Sequence, residues 1–129
     1  MINMEKKITV SDAELEILET LWSADRALNA GEIRSCLDPG KGWERTTVLT
    51  LIQRLVKKKV IRQEKREVYY YFPCMRRDDY VRAQTKNFVD KFFAGSSRNL
   101  AAALVNSDAL TKEDIEELRS FFNRKEELQ

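Results

Sequence analysis

Residues 44–59 constrain the fold most, because their apolar side chains repeat at the spacing of a single helix. The repeat predicts a buried stripe that consists of Val48, Leu51, Ile52, Leu55 and Val56. The opposite face carries polar and basic side chains and one leucine: Arg45, Thr46, Leu49, Thr50, Gln53 and Lys57. No carboxylate follows Glu44 in this stretch, whereas a face that only needs solvation usually mixes both charges. The pattern therefore favours a helix that enters the major groove of DNA.

Basic charge is concentrated around this helix. The segment from Lys41 to Phe72 holds nine basic and three acidic residues, a net charge of +6. Because the whole chain of 129 residues carries +2, the remainder carries −4. A basic middle between more acidic flanks indicates a local surface for a polyanion. The length fits one domain, or a small domain with an assembly segment.

The residue types that the chain lacks exclude several kinds of active site. It has no histidine and only four glycines, and no glycine-rich phosphate loop is present. The absence of histidine excludes histidine-based acid–base chemistry, the Ser-His-Asp arrangement and histidine-containing zinc sites. We therefore expect a protein that is not an enzyme and that holds no cofactor and no metal.

Hydropathy and cysteine content indicate the cellular compartment of the protein. The sequence contains no apolar run long enough to span a membrane and no signal-peptide pattern. We expect a cytoplasmic protein with no membrane insertion, in which Cys36 and Cys74 are reduced thiols. The favoured interpretation of both is a small, partly buried side chain, and a redox pair or a metal site is the alternative.

Residues 1–73 have the element order of a winged helix-turn-helix domain. Ser11–Glu14 is a capping box that starts a helix, and Asn29 with Glu32 starts a second one. We expect the first helix to bury Leu15, Leu18, Leu21 and Trp22, with Ile17 at the edge. A turn over residues 38–42 precedes the third helix. Two β-prone stretches then form a hairpin, 60–65 and 68–72, with an irregular turn at Arg66-Glu67.

The sequence pattern of residues 74–129 predicts three further helices. We expect these helices to form a dimerisation domain. The overall fold class is thus mainly α with a small β hairpin (α+β). Three short helices with this much aromatic surface cannot bury it alone, so we expect a second copy to cover it. The side chains expected at that contact are Tyr80, Phe88, Phe92, Leu100, Leu104, Ile115, Leu118, Phe121 and Phe122.

The candidate DNA-binding residues lie on the third helix and at the tip of the hairpin: Arg45, Thr46, Thr47, Leu49, Thr50, Gln53, Arg54, Lys57, Lys65 and Arg66. Hydroxyls and cations there suit phosphates and base edges, and Arg45 suits a bidentate contact to guanine. The alternatives are a capped and solvated helix start, and an ion pair of Arg45 with Glu44 or Asp38. Trp43 before the helix is expected to pack beneath it rather than stack on DNA.

The sequence also resembles the penicillinase repressor family, the BlaI/MecI/CopY type, over residues 8–124. The recognition-helix signature is matched by Trp43, Thr47-Val48, Thr50, Arg54-Leu55 and Lys57-Lys58. The first helix, the wing and the C-terminal segment are matched by Leu15–Leu18, Leu21-Trp22, Tyr70–Pro73, Phe92–Ser96 and Lys112–Leu118. The tail lacks the paired cysteines of the copper-responsive branch, so the chain looks closer to the BlaI/MecI branch.

The resemblance implies a homodimeric repressor that binds a palindromic operator in double-stranded DNA. In the antibiotic-resistance branch, a membrane sensor-protease system leads to cleavage of the repressor in its C-terminal domain. The corresponding bond here is Ala103–Leu104, although that branch has Asn and Phe at the two positions. The rival hypotheses are a winged-helix protein-interaction module without direct DNA binding, and a small hydrolase or redox enzyme that uses Cys36 or Cys74.

Overall fold

The computed structural model describes residues 9–128. Its elements are, in chain order, α1 (Asp12–Ala24), β1 (Leu28–Asn29), α2 (Ala30–Cys36), a 3-10 turn (Pro39–Lys41), α3 (Arg45–Lys57), β2 (Ile61–Lys65), β3 (Tyr69–Pro73), α4 (Arg77–Phe93), α5 (Ser97–Asn106) and α6 (Lys112–Glu127). This order confirms the predicted fold class, a winged helix-turn-helix followed by three helices. The predicted start of the first domain and end of the second, residues 1–8 and 129, lie outside the described residues.

Local hydrogen bonds start three of these helices. Ser11 Oγ accepts from the Glu14 amide, and Glu14 Oε1 accepts from the Ser11 amide, both at 3.1 Å. Asn29 and Glu32 repeat this reciprocal pair at α2. Thr111 begins α6 in the same way. The capping boxes predicted at Ser11 and Asn29 are confirmed, because they depend on residues only three positions apart.

One apolar core joins α1, α2, α3 and the sheet. Its fully buried members include Ile17, Leu18, Leu21, Leu28, Ile33, Val48, Ile52, Leu55, Val60 and Ile61. The expectation for α1 is corrected here, since Ile17 is fully buried while Leu15 and Trp22 are only half-buried. The inner face of α1 follows Glu14, Ile17, Leu18 and Leu21. A sequence pattern that counts only apolar residues misses a face whose first member is a glutamate.

The sheet has three antiparallel strands in the order β1-β3-β2. Leu28 pairs with Tyr71, and β2 pairs with β3 from Ile61–Pro73 to Lys65–Tyr69. Residues 66–68 form the turn of the wing, where the Arg66 amide donates to the Val68 carbonyl at 3.0 Å. The predicted irregular turn is thereby confirmed.

The chain separates into two compact units within α4, between Gln84 and Thr85. In the second unit, as far as it is described, Val89 is the one buried residue. Large apolar side chains stand exposed on its three helices, among them Phe92 at 61%, Val105 at 66% and Phe122 at 64%. A single copy of this unit therefore has almost no core of its own.

Candidate nucleic-acid interface

Helix α3 presents two chemically different faces. Val48, Leu51, Ile52 and Leu55 are buried, and Val56 is half-buried. The candidate side chains on the other face are exposed, namely Arg45, Thr46, Thr47, Thr50, Gln53, Arg54 and Lys57. Leu49 lies among them but is half-buried. The structure thus brings the helical candidates together on one continuous surface that carries no acidic side chain along the helix.

The start of α3 leaves Arg45 available. Among the ion pairs of residues 9–128, none involves Arg45, so neither Glu44 nor Asp38 holds it. Glu44 occupies the cap position, but its side chain accepts no hydrogen bond from the first turn. Trp43 is half-buried against the core, as expected, and Lys41 Nζ lies 5.9 Å from its ring centre. The amides and the guanidinium at this end of the helix therefore face outward together.

The threonines differ in what they offer. Thr50 Oγ1 donates to the Thr46 carbonyl at 2.9 Å, so its proton is used within the helix. Its oxygen lone pairs and its methyl group still face outward, as does Thr47. Threonine methyl groups suit the thymine methyl and the hydroxyls suit phosphate oxygens.

The C-terminal end of α3 is closed by backbone hydrogen bonds. The Lys59 amide donates to the Val56 carbonyl and the Val60 amide to the Leu55 carbonyl, at 3.0 and 3.1 Å. This is a Schellman motif, and Lys59 takes the left-handed position at φ 63°. Lys57 and Lys59 are exposed. Lys58 is held differently, because its Nζ donates to Glu14 Oε1 at 2.8 Å and to the Thr9 carbonyl at 2.7 Å.

Glu14 is a residue that the sequence pattern identified only as a helix cap. Burial alone would raise its pKa. Hydrogen bonds from the Lys58 ammonium and from the Ser11 amide and hydroxyl outweigh the burial and hold the pKa below its ordinary value. No pattern in the sequence pairs this carboxylate with a lysine far along the chain.

The two basic candidates of the wing lie on opposite faces of the hairpin. Side chains alternate along each strand, so Lys65 shares a face with Tyr69 and Tyr71. Its Nζ lies 5.8 Å from the Tyr69 ring centre. Arg66 instead lies on the other face, where it pairs with Glu64 at 3.3 Å and stacks on Tyr70 at 4.5 Å.

The Lys65 face is the one that adjoins α3. Tyr71 on that face is buried in the same core as Val48, Leu51, Ile52 and Leu55 of α3, and Gln53 of α3 lies close enough to influence its pKa. Burial raises the pKa of Tyr71, and the contact with Gln53 opposes this in part. Lys65 therefore extends the exposed surface of α3 along the wing, whereas Arg66 does not lie on that surface.

The candidate residues of the second unit are mostly exposed. Phe88, Phe92, Leu104, Ile115, Phe121 and Phe122 are exposed, while Leu100 and Leu118 are half-buried. Val105, which was not among the candidates, is exposed as well. Tyr80, which was also expected at the contact between copies, lies in the first unit, is 8% exposed and has its ring 5.6 Å from that of Trp22. Its own chain already covers it. Ala103 and Leu104 lie inside α5 and are exposed.

The cysteines are free thiols, but the expectation that they are partly buried is wrong. Both Cys36 and Cys74 are exposed. Cys36 is the last residue of α2, and Cys74 follows the last residue of β3. Partial desolvation nevertheless raises the pKa of the Cys74 thiol, against a weaker effect of Arg62, and a raised pKa disfavours the reactive thiolate.

Residues 9–128 contain no group of three or more His, Cys, Asp or Glu side chains placed to hold a metal ion. Within the same residues, each helix is too short or too polar to cross a bilayer.

Comparison with known proteins gives consistent matches over nearly the whole chain. The family model described as "Penicillinase repressor" matches residues 10–124. The penicillinase repressor of Bacillus licheniformis is 30% identical over 129 residues, which is 96% of this chain and 100% of that protein. The methicillin resistance regulatory protein MecI of Staphylococcus aureus (strain N315) is 31% identical over 121 residues, 93% of this chain and 98% of that protein.

A solved structure matches just over half of the chain. It is the solution structure of the DNA binding domain of the repressor BlaI, with a TM-score of 0.51 and 34% sequence identity. The match covers 58% of this chain and 93% of that domain.

Proposed function

Because the chain belongs to the penicillinase repressor family, we propose that it is a transcriptional repressor that binds operator DNA as a homodimer. The observation that carries the proposal is the exposed face of α3 together with the Lys65 face of the wing. Both present hydroxyls, amides and cations on one surface, and 58% of the chain is similar to the DNA-binding domain of BlaI.

The binding mode follows from this surface. Helix α3 enters the major groove, with Arg45, Thr46, Thr47, Leu49, Thr50 and Gln53 toward the bases and Arg54, Lys57 and Lys65 toward phosphates. Affinity then arises largely from cations that displace counterions, so it falls steeply as salt rises. Repression follows from occupation of promoter DNA, which needs no catalytic group. The protein acts as a regulator rather than an enzyme, and it acts in the cytoplasm where its DNA lies.

Homodimerisation supplies the symmetry of the operator. The exposed side chains Phe88, Phe92, Phe121 and Phe122 of the second unit give a second copy a large apolar surface to cover. Two recognition helices carried by such a dimer reach half-sites about one helical turn apart, roughly 34–36 Å. The operator is therefore palindromic.

Release by proteolysis fits the same arrangement. A cut between Ala103 and Leu104 would divide α5 and remove α6 from the dimer contact. Because this bond lies inside a helix, cleavage requires local opening of α5. Such opening is easy in a unit whose described residues include one buried side chain. A membrane sensor-protease system is the proposed source of the signal.

Selection from random DNA duplexes tests the proposed function. Purified protein at physiological salt is expected to enrich a palindrome with half-sites about 10 base pairs apart, centre to centre. Sedimentation of the same sample is expected to show a dimer. A folded dimer that enriches no sequence and shifts no long duplex at low salt would refute the proposal in favour of a protein-interaction module.

A further inference from the structure

Glu14 is the one charged side chain that is buried among residues 9–128. Its side chain is 4% exposed, whereas that of Lys58, its partner, is 35% exposed. One carboxylate oxygen, Oε1, accepts from both the Ser11 amide and Lys58 Nζ. The other, Oε2, is buried without a hydrogen-bond partner. The hydrogen bonds to Oε1 outweigh the desolvation of the carboxylate, so the charged form is tolerated here only while Lys58 pairs with it.

Helix capping does not account for that burial. The equivalent acidic residues of the other two capping boxes, Glu32 and Asp114, cap α2 and α6 without being buried. Glu14 differs from them in its contact with Lys58, which lies 44 residues away in the chain. The burial therefore belongs to a link between α1 and α3.

The link is attached at the C-terminal end of α3. Lys58 is the C-cap residue of that helix, between the exposed residues Lys57 and Lys59. Its ammonium group bonds back to Glu14 and to the Thr9 carbonyl, at the start of the first helix. Two bonds of 2.7–2.8 Å on one ammonium group restrain where this end of α3 lies relative to α1.

We propose that Glu14 is a positioning residue for the recognition helix and that it acts through Lys58, which contacts no phosphate. The proposal rests on the proposed function, because it concerns how α3 is held against DNA. The three consecutive lysines then have different roles. Lys57 and Lys59 are free to meet phosphates, and Lys58 sets the angle at which the helix is presented.

Operator binding over a range of salt concentrations tests the proposal, with the sequence selected as above. The variants are Glu14→Gln, Lys58→Met and the two combined, and Lys57→Met is the matched control. Glu14→Gln keeps a side-chain oxygen for the Ser11 amide but loses the charge. Circular dichroism establishes that each variant is folded at the assay temperature.

The expected results differ between positioning and phosphate contact. Glu14→Gln and Lys58→Met each weaken binding about 2- to 30-fold without changing the salt slope. The double variant has about the same affinity as the single variant that binds less tightly. The reason is that each single substitution already removes the link between Glu14 and Lys58. Lys57→Met reduces the slope of log K against log salt by about 0.9, which is the loss of one phosphate contact. Lys58→Arg retains the pairing with Glu14 and binds like the wild-type protein.

Three results would overturn the proposal. One is a salt slope that falls in Lys58→Met as it does in Lys57→Met, since Lys58 would then contact a phosphate. Another is unchanged affinity in folded Glu14→Gln, which decides the matter even where Lys58→Met does not fold. The last is additive losses in the double variant. Failure of the proposed function is distinct from all of these, because wild-type protein would then select no operator.

Discussion

The Val60 amide donates to the Leu55 carbonyl at 3.1 Å, and both side chains are completely buried. This bond folds the chain back from α3 into the wing, and it forces Lys59 between them into the left-handed region at φ 63°. The junction between the recognition helix and the wing thus combines tight packing with a strained lysine.

Replacing that lysine with glycine should stabilise the protein. Lys59→Gly removes the left-handed strain at the expense of a more flexible unfolded chain, for a net gain of about 0.5–1 kcal/mol. The free energy of unfolding in urea measures it. Lys59→Ala removes the same charge but keeps a Cβ, so it should show no gain. An equal gain in both variants would assign the effect to the charge.

Arg45→Ala should weaken operator binding more than binding to random DNA. The guanidinium forms no ion pair with any residue from 9 to 128 and stands at the exposed start of α3, so it suits a guanine edge, with about 1–3 kcal/mol of discrimination. Binding competition between operator and random duplexes measures the difference. Equal losses on both would show that Arg45 contacts phosphate only.

The two basic residues at the tip of the wing should contribute unequally. Lys65→Ala should weaken binding and lower the salt slope by about 0.9, because Lys65 lies on the face that adjoins α3. Arg66→Ala should have a smaller effect, since Arg66 is held by Glu64 and Tyr70 on the other face. Fluorescence titration at several salt concentrations compares them. A larger slope change for Arg66→Ala would mean that DNA approaches the opposite face.

The stability of the protein should fall in acid partly through Glu14. Its pKa in the folded state lies below the ordinary value of 4.5. The carboxylate therefore stabilises the fold above about that pH, and this contribution is lost as pH falls through the folded-state pKa. The free energy of unfolding should depend less on pH below 4.5 in Glu14→Gln than in the wild type.

A matched control removes a carboxylate at the turn of the wing. Glu67→Gln, an exposed position, should follow the wild-type curve of stability against pH. If Glu14→Gln also followed that curve, the buried ion pair would not contribute to acid sensitivity.

Phe121→Asp should convert the proposed dimer to monomers. The ring is 46% exposed on α6, and an aspartate there would place an unpaired charge in the contact between copies. Sedimentation at micromolar concentration measures the change. Val68→Asp, at an exposed apolar position in the wing, should leave the dimer intact. A Phe121→Asp variant that is still dimeric would move the contact to another surface.

Features that depend on near neighbours in the sequence were predictable. The apolar spacing of residues 44–59 defined the buried face of α3, and reciprocal caps at Ser11 and Asn29 located two helix starts. Alternation along the wing strands followed from the period of a β-strand. These signals depend on backbone periodicity, so tertiary contacts did not alter them.

Features that depend on distant contacts were not predictable. Glu14 is buried because Lys58 reaches it, and a carboxylate is otherwise expected at the surface. Tyr80 fits the apolar repeat of α4, yet it packs on Trp22 of α1. The face on which Arg66 lies was decided by its stacking on Tyr70 rather than by its position at the turn. In each case a partner far along the chain, or across the hairpin, selected the outcome.

Val89 is the one buried residue in the described part of the second unit, and this has a consequence for gene control. If this unit gains a core only when two chains associate, the active fraction of the repressor depends on the repressor concentration. Where dimers are the minor species, halving the number of chains lowers the dimer about fourfold. A promoter governed in this way would respond to dilution or slow turnover of the protein with a steep rise in transcription.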